Sequence, residues 1–141
     1  MININNAEVK LFNEIDSTNS AAREHLNIIG EISDPIWFRA KKQTKGRGRN
    51  KNNWVSEEGN LFTTLLTPLS WKLNIIPMLS CVIAVSIHQS VSLFLDNETS
   101  LKIKWPNDIL FENSKLSGVL IENQLNGDNK FSIIGIGVNI I

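Results

Sequence analysis

Seven cations fall between Arg39 and Lys51 with no acid among them, half of the fourteen lysines and arginines in a chain whose formal net charge is zero. Within that stretch, Gln43-Thr44-Lys45-Gly46-Arg47-Gly48-Arg49 sets two arginines between glycines, and Trp54 closes the segment. Arginine presents a planar fork of N–H donors that matches carboxylate or phosphate. Glycines at 46 and 48 let a backbone take positive φ and come close to a ligand. The segment reads as an anion trap, mobile while empty because its cations repel one another, and ordered when an anion arrives. The blander alternatives are a solvated surface loop or a string of the kind found in RNA-binding tails.

Three other groups suit the same chemistry. Lys104 precedes Trp105-Pro106-Asn107-Asp108 at the end of an expected strand and offers a further cation. Ser17-Thr18-Asn19 gathers short donors and acceptors at a helix start, where capping alone would account for at least one of them. Gly135-Ile136-Gly137-Val138-Asn139 puts two glycines on one strand face, leaving a bare floor for a flat ring. This last string is no dinucleotide fingerprint, since no helix follows it.

The elements that must position these residues follow from patterning. Val9–Ile15 alternates as a strand, and a helix starts in Asp16–Asn19 and ends near Gly30. Strands are expected at Ile36–Ala40 and Leu61–Leu66, the latter stopped by Pro68. The apolar stretch from Ile75 to Leu95 carries too many polar residues to cross a membrane and reads as a buried helix opening near Pro77. Strands then follow at Leu101–Trp105, with Lys102 and Lys104 on one face, and at Ile109–Phe111, Leu116–Asn123 and Phe131–Ile140. Turns fall at Pro106-Asn107-Asp108 and Asn126-Gly127-Asp128. The order predicts an α+β domain with a single mixed β-sheet and helices mainly on one face.

Composition narrows the function. At 141 residues, 42% hydrophobic and 20% charged, the chain suits one soluble domain with a real core. Neutral net charge argues against a general polyanion binder. The single Cys81 excludes an internal disulfide and a multi-cysteine metal site, and reads as a buried small hydrophobe. Residues Met1–Asn6 have neither a basic nor an apolar leader region, so a cytoplasmic protein is the expectation.

Ser-Thr-Asn, Gln-x-x-Gly-Arg-Gly-Arg with a downstream Trp, Lys-Trp-Pro-Asn-Asp, Lys-Leu-Ser-Gly-Val-Leu-Ile-Glu and Gly-Ile-Gly-Val-Asn, in this order, closely resemble the catalytic domain of biotin protein ligases. The resemblance runs from about Val9 to Ile140 and implies the biotin/lipoate protein ligase fold over 1–141. It implies ATP-dependent formation of biotinyl-5′-AMP and transfer of biotin to one lysine of a biotin carboxyl carrier protein, with Mg²⁺ accompanying ATP. By that resemblance Ser17, Thr18, Asn19 and Gln43 surround the ureido ring. Gly46, Arg47, Gly48 and Arg49 grip the carboxylate and then the phosphate, and Lys104 is the central electrophilic residue beside Arg47 and Arg49. Trp54, Gly118, Gly135 and Gly137 wall the apolar part, and Asn139 reads adenine.

Lipoate ligases share this fold and its adenylation logic but are expected to lack the motif combination. The alternative is a module that binds biotin or its adenylate without efficient transfer. The chain departs from the family's loop at Asn50–Asn53, where a later Gly and Arg are replaced. Sixteen residues before Ser17 leave no room for a DNA-binding winged helix, so no DNA partner is expected, nor a membrane. By the resemblance, the expectation is a catalytic domain without the C-terminal small β-barrel domain of relatives, and a homodimer through sheet edges is allowed.

Overall fold

The computed structural model describes residues 7–69, 76–95 and 100–141. The N-terminal stretch read above for a leader, and the Ile75 end of the apolar stretch, lie outside these residues. Seven strands form one mixed sheet: β1 (Glu8–Ile15), β2 (Ile36–Gln43), β3 (Leu61–Pro68), β4 (Leu101–Lys104), β5 (Asp108–Phe111), β6 (Ser114–Asn126) and β7 (Asn129–Val138). Their order across the sheet is β1-β2-β3-β7-β6-β5-β4. β1 and β2 pair parallel, and the remaining neighbours pair antiparallel. The parallel pair is joined by α1 (Thr18–Ile29), since two parallel strands need a crossover. α2 (Ile76–Ser92) links β3 to β4.

α1 is amphipathic with Ala22 and Leu26, four residues apart, fully buried against Phe38, Leu66 and Ile133. Burying each large apolar side chain of this kind is worth roughly 1.5–3 kcal/mol. Gly30 ends the helix at φ 80°, its N–H donating to Leu26 O at 2.8 Å. α2 turns Leu79, Ile83 and Ile87 to the sheet, against Val119, Ile134 and Ile136. It is not buried all round: Met78, Val82 and Val85 are exposed, and Cys81 is only partly covered.

The two helices lie against opposite faces, which corrects the expectation of helices mainly on one face. Ile133 of β7 packs under α1 and its neighbour Ile134 under α2, and successive strand residues point to opposite sides. A central strand that is apolar at both parities needs cover on both faces.

The turns matter for register. Asn126 pairs with Asn129 across a two-residue turn with Gly127 at φ 60°. The β5–β6 turn uses Glu112 and Asn113 at φ 49° and 67°, the doubly left-handed backbone of a tight hairpin. Glutamate is not a residue that announces such a turn, so this hairpin was not separately legible. A bulge between Ile109 and Leu110 then shifts β5 against β6, so that Asp108 faces Gly118.

Candidate active site

The face of the sheet under α1 carries Thr64 on β3, Gly135 and Gly137 on β7, and Gly118, Leu120 and Glu122 on β6, all of one parity in the paired registers. The start of α1 rests at one end of this face, and the Thr44–Ser56 connection crosses it. Between them lies a cavity of about 420 Å³. Of the expected site residues, Ser17, Thr18, Asn19, Gln43, Arg47, Gly48, Arg49, Trp54, Gly118 and Gly135 line it, as does Gly137.

The α1 end is a web of fixed neutral groups. Gln43, at the end of β2, accepts through Oε1 from the backbone N–H of Thr18 at 2.8 Å and from Thr18 Oγ1 at 3.1 Å. Helix capping is therefore done by Gln43 from across the chain, and the Ser17 side chain makes no capping bond. Gln43 Nε2 donates to Ser56 Oγ at 3.0 Å. Asn19 sits directly over Gly135: a Cβ there would collide with Asn19 Oδ1. That oxygen accepts from Thr64 Oγ1 at 2.7 Å. Ser17, Thr18, Asn19 and Thr64 are all buried.

The bare floor expected at Gly135 and Gly137 is a floor, but side chains of the protein lie on it. The Trp54 ring lies over Gly137, where an added Cβ would come within 2.7 Å, and its edge reaches Gly118. The indole Nε1 is buried there with no hydrogen-bond partner among the described residues.

The loop holds its arginines by specific partners. Gly46 packs so tightly that a Cβ would meet Trp54 O and Ser56 Oγ; close approach, and not a positive φ, requires glycine there. Gly48 is likewise not left-handed, at φ −108°. The left-handed residue is Asn50 at φ 55°, a conformation asparagine tolerates. Asn50 lies within the Arg49–Lys51 3-10 turn, closed by Gly48 N–H to Asn52 O at 2.7 Å and an Arg47–Asn53 bridge. The stretch after Arg49 is thus a defined turn.

Arg47 spreads both Nη atoms over Glu122, at 3.2 and 3.1 Å. Arg49 Nη1 donates to Asn107 Oδ1 at 2.7 Å. Asn107 is buried and locked to β6, its Nδ2 donating to Val119 O at 2.7 Å. A carbonyl only accepts, so the amide oxygen must face Arg49. Read as a turn residue in the sequence, Asn107 is the seat of Arg49.

Lys104 and Asn139 are not brought to the cavity. Lys104 ends the edge strand β4 and is exposed. Its register partner Asp108 is itself paired with Gly118, which leaves β5 between Lys104 and the floor. The lysine on the lining is Lys115, at the start of β6. Its Nζ is 2.8 Å from Asp108 Oδ1 and 5.1 Å from the centroid of the Trp54 ring. Lys115 belongs to the Lys-Leu-Ser-Gly string already singled out. Asn139 donates through Nδ2 to Lys115 O at 3.0 Å and lines a neighbouring cavity that shares Asn53, Trp54 and Lys115 with the first.

Glu122 is the acid that composition did not flag. It accepts from Asn19 Nδ2 at 2.9 Å and Arg23 Nη2 at 2.7 Å, besides Arg47. Burial pushes its carboxyl up, but the hydrogen bonds from Asn19 and Arg23 and the charges of Arg47 and Arg23 outweigh this and hold it below its ordinary value.

A polar end, an apolar floor and a rim carrying Arg47, Arg49 and Lys115 suit a small ligand with a neutral head and an anionic tail. A model of the biotin/lipoate A/B protein ligase family matches residues 11–139. The chain is 34% identical over 126 residues to the biotin–[acetyl-CoA-carboxylase] ligase of Paracoccus denitrificans, covering 89% of this chain and 51% of that protein. Its fold matches the biotin protein ligase of Leishmania major solved with biotinyl-5-AMP, with a TM-score of 0.80 and 29% identity, covering 94% of this chain and 57% of that one. It also matches the Aquifex aeolicus biotin protein ligase solved with biotin and ATP, at TM-score 0.71 and 32% identity, covering 94% and 52%. The chain spans little more than half the length of these relatives. With the family pattern matched from one end of the sheet to the other, the chain belongs to the biotin/lipoate A/B protein ligase family.

Proposed function

We propose that this chain is the catalytic core of a biotin protein ligase, which joins biotin to ATP as biotinyl-5′-AMP and passes the biotinyl group to a lysine of a carrier domain. The observation that carries the reading is the convergence of Ser17, Asn19 and Gln43 with Arg47, Arg49 and Lys115 on one cavity. The ureido ring needs partners for two N–H groups and a carbonyl once buried. The α1 end offers Ser17 Oγ and the free valences of the Asn19 and Gln43 amides.

In the first half-reaction the carboxylate of biotin attacks the α-phosphorus of ATP and pyrophosphate leaves. In the second, the acceptor amine attacks the acyl carbon and AMP leaves. Both steps concentrate negative charge on oxygens around the phosphate, so positioned cations supply most of the catalysis. Arg47 and Arg49 reach the cavity from the loop, and Lys115 reaches it from the sheet. Lys115 takes the role that the resemblance gave to Lys104, because Lys115 lines the cavity. Asn139 and the adjoining cavity across Trp54 suit the adenine. Asp108, the carboxylate on the lining, would hold a Mg²⁺ ion brought with ATP, which would neutralise phosphate charge there.

Incubation with biotin and Mg-ATP, followed by mass detection of biotinyl-5′-AMP and then addition of a carrier domain, tests this directly. Labelled carrier is the expected result. Biotin binding without adenylate would replace the ligase with a biotin-binding module.

A further inference from the structure

Glu122 lies outside the lining of the main cavity, yet it touches two residues on that lining. Its oxygens are fully engaged. Oε2 accepts from Asn19 and from one Arg47 nitrogen, and Oε1 accepts from the other Arg47 nitrogen and from Arg23. A carboxylate only accepts, so the amino group of Asn19 must face Glu122. The Asn19 oxygen then points to Thr64, over Gly135. Without that anchor the Asn19 amide has no reason to prefer one orientation, because Thr64 Oγ1 both donates and accepts.

We propose that Glu122 is a positioning residue for the proposed ligase site, fixing the direction of the Asn19 amide and parking the Arg47 guanidinium until an anionic ligand takes it. The inference rests on the biotin-ligase reading. The two actions have opposite signs for an anionic ligand. An oriented Asn19 strengthens binding of the neutral head. A parked Arg47 weakens binding of the carboxylate, because Glu122 competes for the same bidentate fork. Arg23 stands behind the arrangement: it binds Glu122 and is absent from the cavity lining.

The opposite signs make the inference separable. Biotin and its alcohol analogue biotinol share the ring head and differ in the carboxylate. Calorimetric titration of both into wild type and Glu122→Gln, an isosteric change, reads each action alone. Biotinol affinity should fall about tenfold, the scale of one misdirected buried amide. The ratio of biotin to biotinol affinity should rise several-fold as Arg47 is released. Unchanged biotinol affinity in a folded variant overturns the role toward Asn19, and an unchanged or smaller ratio overturns the parking of Arg47. Arg23→Gln should shift both readings in the same directions by a smaller factor. It carries the test if Glu122→Gln does not fold, and no shift in it then overturns the inference. A wild type that binds neither probe fails the ligase reading itself, an outcome distinct from wild-type binding that Glu122→Gln leaves unaltered.

Discussion

The α1 end of the cavity and its cationic rim are built on different principles. At the α1 end, Thr18, Asn19, Gln43 and Thr64 are neutral, mostly buried and tied to one another by hydrogen bonds whose directions are forced by their partners. At the rim, Arg47, Arg49 and Lys115 are long, more exposed, and each held by a protein acceptor that a phosphate or carboxylate can replace: Glu122, Asn107 and Asp108. One end is preorganised for recognition and cannot trade its bonds cheaply. The other stores its cations against internal acceptors, which answers the mutual repulsion of a basic loop and leaves the charge available for chemistry.

The largest effect should come from the rim. Lys115→Ala should lower the single-turnover rate of adenylate formation by about 10²–10³, the usual scale for removing one preorganised group that stabilises transition-state charge. Lys104→Ala should stay within about twofold of wild type in the same quench-flow measurement. Equal losses in both variants would erase the distinction between lining and edge lysines.

Arg49→Gly should next raise the off-rate of biotinyl-5′-AMP by about tenfold or more, as one charge-assisted fork is lost. Stopped-flow release into a trap reads this, and an unchanged off-rate removes Arg49 from the phosphate.

At the recognition end, Gly135→Ala should cost about 1–3 kcal/mol in thermal or denaturant unfolding, because the new methyl displaces Asn19 in a packed layer. It should weaken biotin binding while leaving ATP binding near wild type. Loss of both ligands together would mean a general collapse of the sheet face.

The smallest effect joins the two ends. Glu122 is held below its ordinary value, so its contribution to stability is present above the usual carboxylate range and is lost as pH falls through its depressed value. The melting-temperature difference between wild type and Glu122→Gln should be constant near neutrality and shrink only as pH falls below the usual carboxylate range. A difference that vanishes already at weakly acidic pH would contradict the clasp.

Much of this contrast was readable from the chain, and the gaps have physical causes. Period-two alternation and capping residues located the strands and α1 within a few residues, because those signals are local. The two lysines were not separable, since each lies at a strand end and only strand order makes β4 an edge strand and β6 an interior one. Gly135 and Gly137 announced an open floor, but a bare floor does not say that Asn19 and Trp54 lie on it. Glu122 was legible in principle: it shares parity with Gly118 and Leu120, so an acid there faces the site. What sequence could not supply was the pair of arginines meeting it, Arg23 from α1 and Arg47 from the loop.

The most direct test of this division of labour is to measure biotin affinity and biotinyl-5′-AMP formation in the same preparation of Lys115→Ala. The account predicts that biotin still binds within about tenfold of wild type, while adenylate detected by mass after a single turnover falls by at least two orders of magnitude. Adenylate forming at the wild-type rate, or biotin binding lost outright, would contradict it.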